Sequence, residues 1–412
     1  MDDSSTPSAA SKPHPMAPAP WSDLHGELLV SIADTNGVSL RDYASLRGVC
    51  TAWRSALAPL SYPCLLSLAE SHNSHSASVF SIPMRRSFHL HTGSSSIVNP
   101  ECTFYGGART RVVGSGNGRF AIAIDERDTR SATLRIILVD PRAGKKVQLG
   151  SPPGGKASVC KIVFASNTNP NDNWRAVALY DNNSRVAYID TGGGRSTEDK
   201  EWTTVDVADG SCYDDMAFHA GDDRVYFLSS CGSVHVLHMP RGGQPAVIEP
   251  LANLMHDPNP DAAYAAPYHV VSPMMVTKHI FLCHGSLYQL WKNTNANVNL
   301  GSGYFRMFAD EIFVLRYDPG RWPCWDVVKD LGGCSVFLGK SSSPAVVRPA
   351  VPEVRADCVY WIDWQGVPMV CEIATGASHP WVLSYGTCKC DCWYFGHDDM
   401  TSVDGVERDT TN

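Results

Sequence analysis

Cys388-Lys389-Cys390-Asp391-Cys392, with His397 close behind, is the run whose residue types most resemble metal ligands. Thiols at i, i+2 and i+4 share one face of a strand. Structural zinc sites instead draw on Cys or His pairs two to four residues apart on two separate knuckles. No second pair accompanies this run, so it reads as reduced cysteines and no metal is expected. Cys324, Cys334, Cys358 and Cys371 lie in apolar strand contexts, where Cys behaves as a small hydrophobe.

Adjacent carboxylates occur at Asp214-Asp215, Asp222-Asp223 and Asp398-Asp399. A glycosidase needs two acids facing one another across a cleft. Neighbours on a strand point to opposite faces, and Asp222-Asp223 precedes a strand in the manner of a turn. Gly192-Gly193-Gly194 and Gly114-x-Gly116-x-Gly118 lack the Lys-Ser/Thr of a P-loop and the strand-then-helix setting of a dinucleotide fold. They read as turns between strands. His72 and His75 sit in a Ser-rich polar stretch and read as solvated. No catalytic residue and no cofactor is therefore expected.

The elements that carry these residues follow from composition and pattern. Acids outnumber bases, 42 against 34, for a net charge of -8, which argues against a phosphate-neutralising surface and hence against nucleic acid as partner. The longest apolar runs, near Ala121 to Ile124 and Ile136 to Val139, fall far short of the roughly 18 residues that span a bilayer, so no membrane partner is expected. Fourteen cysteines and an acidic, Pro-rich beginning predict reduced thiols in cytoplasm or nucleus. Apolar residues at 43% allow a sizeable core, while 33 Gly and 27 Pro favour turns over long helices.

Residues 1–20 read as a disordered tail. Residues 21–64 are helical: Leu24, Leu28, Leu29 and Ile32 fall on one helical face, and Asn36-Gly37 ends it. Ser39 and Asp42 then mark a capping-box-like start. Leu40, Tyr43, Leu46 and Val49 follow at three-residue steps, and Cys50, Trp53 and Leu57 carry the apolar face to Pro59. Three helices in about forty residues bury too little surface to stand alone, so the apolar face needs cover from a partner or from the rest of the chain. Residues 65–100 turn polar and read as a linker or an irregular first wrap.

From residue 101 to 395, short β-branched and aromatic runs alternate with Gly, Asn, Asp and Pro, the signature of many short strands. Phe120 to Ile124 pairs with Leu134 to Val139, and Lys161 to Phe164 with Ala176 to Tyr180. Hairpins turn at Cys231-Gly232-Ser233 and at His284-Gly285-Ser286, and similar units surround Asp318-Pro319-Gly320 and Asp363 to Gly366. Strands apolar on both faces imply sheets stacked on sheets, as in a β-propeller, and about 295 residues at 40 to 50 per blade make six or seven blades. The expected fold is thus a small all-α helical module followed by an all-β propeller and a polar C-terminal tail, 396–412. Trp322, Trp325, Trp361, Trp364, Trp381 and Trp393 supply blade packing, with scope for anchors on a recognition face.

The segment from Trp21 to Leu57 resembles the F-box motif. Its residues Leu24-His25-Gly26-Glu27-Leu28-Leu29, Ile32, Asp42 and Arg47-Gly48-Val49-Cys50-Thr51-Ala52-Trp53-Arg54 occupy the motif's positions, with His25 where the family usually has Pro. The strings DDMAFHAGDDRVYFLSSCGSVHVLHM, KHIFLCHGSLYQLWKN and ADCVYWIDW resemble successive landmarks of the plant KIB-type β-propeller domain. The resemblance implies a plant F-box protein, the non-catalytic substrate-recognition subunit of an SCF-type ubiquitin ligase. The F-box would dock on a Skp-type adaptor of the cullin-RING ligase, and the propeller would hold an unknown protein substrate. Leu24, Leu28, Leu29, Ile32, Val49, Cys50 and Trp53 are the candidate adaptor-binding residues. The alternative is a propeller interaction module with a degenerate F-box that engages no ligase.

Overall fold

A computed structural model describes residues 21–34, 38–71, 74–90, 109–127, 132–153, 158–166, 174–191, 201–207, 212–219, 221–240, 245–251, 260–294, 298–300, 305–381 and 390–396. The expected N-terminal tail, and all of the C-terminal tail after Gly396, lie outside them. The chain divides into a helical unit, Met1–Val38 with Asp42–Pro59, and a second unit, Ser39–Arg41 with Leu60–Asn412.

In the helical unit, a 3-10 turn at Trp21–Asp23 precedes α1 (Gly26–Asp34), α2 (Leu40–Gly48) and α3 (Thr51–Ala56). The His25 carbonyl accepts the amides of Leu28 and Leu29 at 3.0 and 3.1 Å, starting α1. Cys50 caps α3, its sulfur accepting the Trp53 amide at 3.4 Å. The Trp53 indole donates to the Trp21 carbonyl at 3.2 Å, and the Tyr43 hydroxyl to that of Ala58 at 2.7 Å. A Cβ on Gly26 would meet the Ala56 Cβ at 3.4 Å, so α1 and α3 pack closely there.

The second unit is a six-bladed β-propeller. Its first blade takes three strands from the beginning of the unit, β1 (Cys64–Ser71), β2 (Ser74–Ser81) and β3 (Arg86–His89). Blade two is β4 (Arg109–Gly116), β5 (Arg119–Arg127), β6 (Ala132–Asp140) and β7 (Lys145–Gly150). Blade three is β8 (Val159–Ser166), β9 (Trp174–Tyr180), β10 (Arg185–Asp190) and β11 (Thr203–Val205). Blade four is β12 (Tyr213–His219), β13 (Arg224–Ser229), β14 (Val234–His238) and β15 (Ile248–Pro250).

After a short helix, α4 (Tyr268–Val271), blade five begins with β16 (Thr277–Cys283) and β17 (Ser286–Lys292). A separate hairpin, β18 (Val298–Leu300) and β19 (Phe305–Met307), intervenes before β20 (Ile312–Tyr317) and β21 (Trp325–Val328) complete it. Blade six comprises β22 (Ser335–Leu338), β23 (Ala345–Val347), β24 (Cys358–Ile362), β25 (Pro368–Glu372) and β26 (Ser378–Pro380). There β22 runs parallel to β24, with β23 on its other side. Finally β27 (Cys392–Tyr394) pairs with β1, so the last strand completes the first blade and closes the ring.

The pairings expected around Phe120, Lys161, Cys231, His284, Asp318 and Asp363 are all present. The expected linker at 65–100 requires correction, because residues up to His89 form β1–β3. Its Ser- and His-rich text masks an alternation in which Ala77, Val79 and Ser81 are buried while Ser78 and Phe80 are only partly so, the period of a half-buried strand. Ser81 satisfies its buried hydroxyl on the Ser61 carbonyl at 2.7 Å.

Blades are joined through aromatic donors. Trp202 donates to the Leu149 carbonyl at 2.7 Å, Trp393 to that of Leu338 at 3.0 Å, and Tyr394 to that of Gly118 at 3.1 Å. Arg119 stacks over Trp174 at 4.2 Å and Lys292 over Trp361 at 3.1 Å. Trp325, Trp361 and Trp393 are buried and Trp381 is half-buried, whereas Trp322 and Trp364 are exposed. Between blades two and three, β4 approaches β8 so closely that a Cβ on Gly114 would collide with the Ile162 carbonyl. Backbone cannot step aside as a side chain can. Gly114→Ala is expected to destabilise the propeller by about 1–3 kcal/mol, the usual cost of overpacking, read from urea unfolding.

Candidate functional site

The helical unit separates its apolar residues into two groups. Leu29, Ala33, Tyr43, Trp53 and Leu57 are buried. Leu28 is 57% exposed, Ile32 46% and Val49 56%, and Trp21 is exposed as well. Leu28 and Ile32 stand one turn apart on α1, so their side chains share a face. Val49 follows α2 directly, at the entry to α3. Of the seven candidates, Leu28, Ile32 and Val49 are offered to solvent, Leu24 and Cys50 are half-buried, and Leu29 and Trp53 are covered already. The periodicity that placed Leu28 and Leu29 together could not separate them, because neighbours in a helix are 100° apart and the edge of the buried stripe falls between them.

A second concentration of chemistry lies in the propeller, where β8, β12 and β16 follow one another from blade to blade. Asp215 on β12 is buried and forms an ion pair with the buried Lys161 on β8. Its other oxygen lies 3.1 Å from His279 Nδ1 on β16 and accepts the Ile280 amide at 3.1 Å. The Met216 amide donates to the first oxygen at 2.8 Å. Burial by itself would raise this carboxyl, but the Lys161 ammonium and the His279 bond outweigh it and hold it below the usual aspartate range. The neighbouring Asp214 shifts the opposite way: burial pushes its carboxyl up, against the pull of Lys278. Lys278 is itself buried on β16 and donates to the Ser230 carbonyl at 3.0 Å and the Ser272 hydroxyl at 3.3 Å.

Adjacency drew attention to the Asp214-Asp215 pair, but the partners of Asp215 are 54 and 64 residues away and leave no trace in local sequence. Asp223 pairs with Arg175 at 2.9 Å and Asp222 with Arg224 at 3.7 Å. Asp398 and Asp399 lie outside the described residues.

Of the Cys388–Cys392 run, Cys390 and Cys392 are buried where β27 joins β1, while Cys388 and His397 lie outside the described residues. No disulfide joins the described cysteines. Burial pushes up the thiols of Cys324 and Cys358, each to about 11, as expected of cysteines acting as small hydrophobes. Cys334 is different: it faces His284 across blades five and six, a juxtaposition that lies 50 residues apart in sequence.

The architecture of repeated antiparallel blades closed by a terminal strand agrees with a family comparison in which the model of the KIB1-4 beta-propeller matches residues 79–395. The chain belongs to the KIB1-4 beta-propeller family. In this KIB1-4 propeller the matched span begins within β2 and ends one residue beyond β27. No curated protein matches the chain.

Solved structures similar to it include the tricorn protease, at 9% identity and a TM-score of 0.33, over 79% of this chain and 32% of that one. The chain thus spans about a third of that protein's length. YCF48 from Cyanidioschyzon merolae is 14% identical with a TM-score of 0.33, covering 64% of this chain and 72% of its own. The Cps50 (Swd1) β-propeller domain of Myceliophteria thermophila is 10% identical with a TM-score of 0.35, covering 82% and 98%. None of these similarities bears on what the KIB1-4 propeller described here binds.

Proposed function

We propose that this chain is the substrate-recognition subunit of an SCF-type ubiquitin ligase, binding a Skp-type adaptor through its helical unit and a target protein through its KIB1-4 propeller. The observation that carries the reading is the exposure of Leu28, Ile32 and Val49, with Trp21 and Val30 exposed beside them, in a helical unit whose Leu29, Tyr43, Trp53 and Leu57 are buried. A helix that presents apolar residues at i and i+4 is suited to a hydrophobic groove or to a partner's helices. Three short helices, with Leu29 and Trp53 buried among them, make a unit too small to bury all of its apolar surface, which supports a partner's covering the rest. In this role the chain does no bond chemistry of its own; it works in the cytoplasm or nucleus of a plant cell and brings a client to the cullin-bound machinery.

Calorimetry of the purified full chain with a Skp-type adaptor tests the reading, with a one-to-one complex as the expected result. His25→Pro is expected to change that affinity less than threefold. His25 stands before the first turn of α1, where an amide is not consumed by the helix, so proline there deletes no helical bond. If neither the natural chain nor His25→Pro binds adaptor, the ligase assignment fails and the chain is a propeller interaction module with a degenerate F-box.

A further inference from the structure

We propose that Cys283, His284 and Cys334 form a zinc site with three protein ligands, joining blades five and six at one end of the propeller. Among the described residues this is the one group of three His, Cys, Asp or Glu side chains whose ligand atoms converge, all lying within 4.8 Å of one another. Cys334 Sγ lies 3.4 Å from His284 Nε2. Zinc–sulfur and zinc–nitrogen bonds of about 2.3 and 2.0 Å set tetrahedral edges of about 3.5 Å between sulfur and nitrogen and about 3.8 Å between two sulfurs. The Cys334–His284 separation already matches the sulfur–nitrogen edge of such a tetrahedron, and Cys283 Sγ lies within 4.8 Å of both.

Two turns aim these side chains, and both use uncommon backbone. Cys283 ends β16, and His284 begins the turn to β17 with φ 49°. Cys334 ends the turn Leu331-Gly332-Gly333-Cys334, in which both glycines have positive φ, 63° and 83°. The Asp357 carboxylate holds this turn by accepting the amides of Leu331 at 2.6 Å and Gly333 at 3.1 Å, and its own amide donates to the Cys334 carbonyl at 2.8 Å. A Cβ on Gly332 would stand 3.2 Å from His284 Nε2, so the glycine leaves room for the imidazole. Both thiols are buried and His284 is exposed, which puts the ion's way in, and its fourth coordination position, on the solvent side of the imidazole.

The two sulfurs bind as thiolates and the imidazole as a neutral ligand, so each zinc bound displaces two thiol protons to solvent and affinity rises with pH. The Cys283 thiol donates to the Leu331 carbonyl at 3.8 Å, a weak bond that coordination would replace. A Cys₂His set with a fourth position held by water suits zinc over magnesium or calcium, which take oxygen ligands.

The test is a titration of the full chain, purified under reducing conditions, with Zn²⁺ in competition with a chromophoric chelator and with Co²⁺ read by thiolate-to-metal charge transfer. One equivalent should bind at the site, with charge-transfer intensity appropriate to two thiolates. His284→Asn keeps a residue that tolerates positive φ on an exposed turn, so it should fold normally. It is expected to weaken zinc at least tenfold, and Cys334→Ser at least a hundredfold. Cys212→Ser, on an exposed cysteine elsewhere, and Cys388→Ser, in the Cys-rich run near the end of the chain, should leave that equivalent in place. The inference is overturned if the natural chain binds no zinc, if His284→Asn and Cys334→Ser bind as tightly as the natural chain, or if Cys388→Ser removes the metal.

Discussion

Replacing Asp215 by alanine is expected to lower the stability of the propeller by about 3–5 kcal/mol, the cost of removing one member of a buried ion pair. The loss is large because it strands several groups together. Lys161 is left as a buried cation, His279 loses the acceptor for Nδ1, and the amides of Met216 and Ile280 lose theirs. These partners come from β8, β12 and β16, so one side chain ties three consecutive blades. Lys161→Met should cost less, because the carboxylate keeps His279 and both amides while a desolvated ammonium is removed. Urea unfolding of the full chain measures both. Equal losses from the two substitutions, or a loss below about 1 kcal/mol for Asp215→Ala, would show that the cluster contributes little beyond its volume.

The same carboxylate sets a pH dependence. Its folded pKa lies below the usual aspartate value of about 3.9, so between the two values the unfolded chain binds more protons than the folded one. The stabilisation is thus complete above about pH 5 and disappears as pH falls through the folded value. Acid unfolding followed in the natural chain and in Asp215→Asn should show a shallower dependence in the variant, since the amide does not titrate. Parallel curves would contradict the assignment.

The second large effect concerns the helical unit. Leu28→Glu, Ile32→Ala and Val49→Ala are each expected to weaken adaptor binding, Leu28→Glu by at least about thirtyfold, which corresponds to the 2 kcal/mol of an interface hot spot. All three residues are exposed, so thermal unfolding should move by no more than about 0.5 kcal/mol. Leu29→Ala should do the reverse. It opens a cavity at a fully buried position and costs about 2–5 kcal/mol of local stability, with adaptor binding lost only through unfolding. The contrast between adjacent residues separates a docking face from a core. If Leu28→Glu binds adaptor as the natural chain does, the proposed face is wrong whatever else the chain binds.

Much of the architecture was legible because it rests on local rules. Hairpins announced themselves where a turn residue able to take positive φ, such as Gly232 or His284-Gly285, interrupts apolar alternation. The first blade was harder to see. Its strands β2 and β3 carry more Ser and His than branched apolar residues, and the strand that completes the blade lies more than 300 residues away in β27. Blade six reverses the usual order with its parallel β22/β24 pair, which no turn signal encodes.

By itself, then, the sequence determined the division into helical and strand-rich units, which runs pair as hairpins and the set of apolar residues from which any docking face must be drawn, since all of these depend on neighbours within a few turns or strands. Only the tertiary structure decided which of those residues remain exposed, which carboxylate is neutralised by which cation, and which cysteines meet a histidine. The pairings among these depend on separations of 50 residues and more, brought to contact distance by closing the ring. Such pairings are properties of that closed ring, and no local pattern records them.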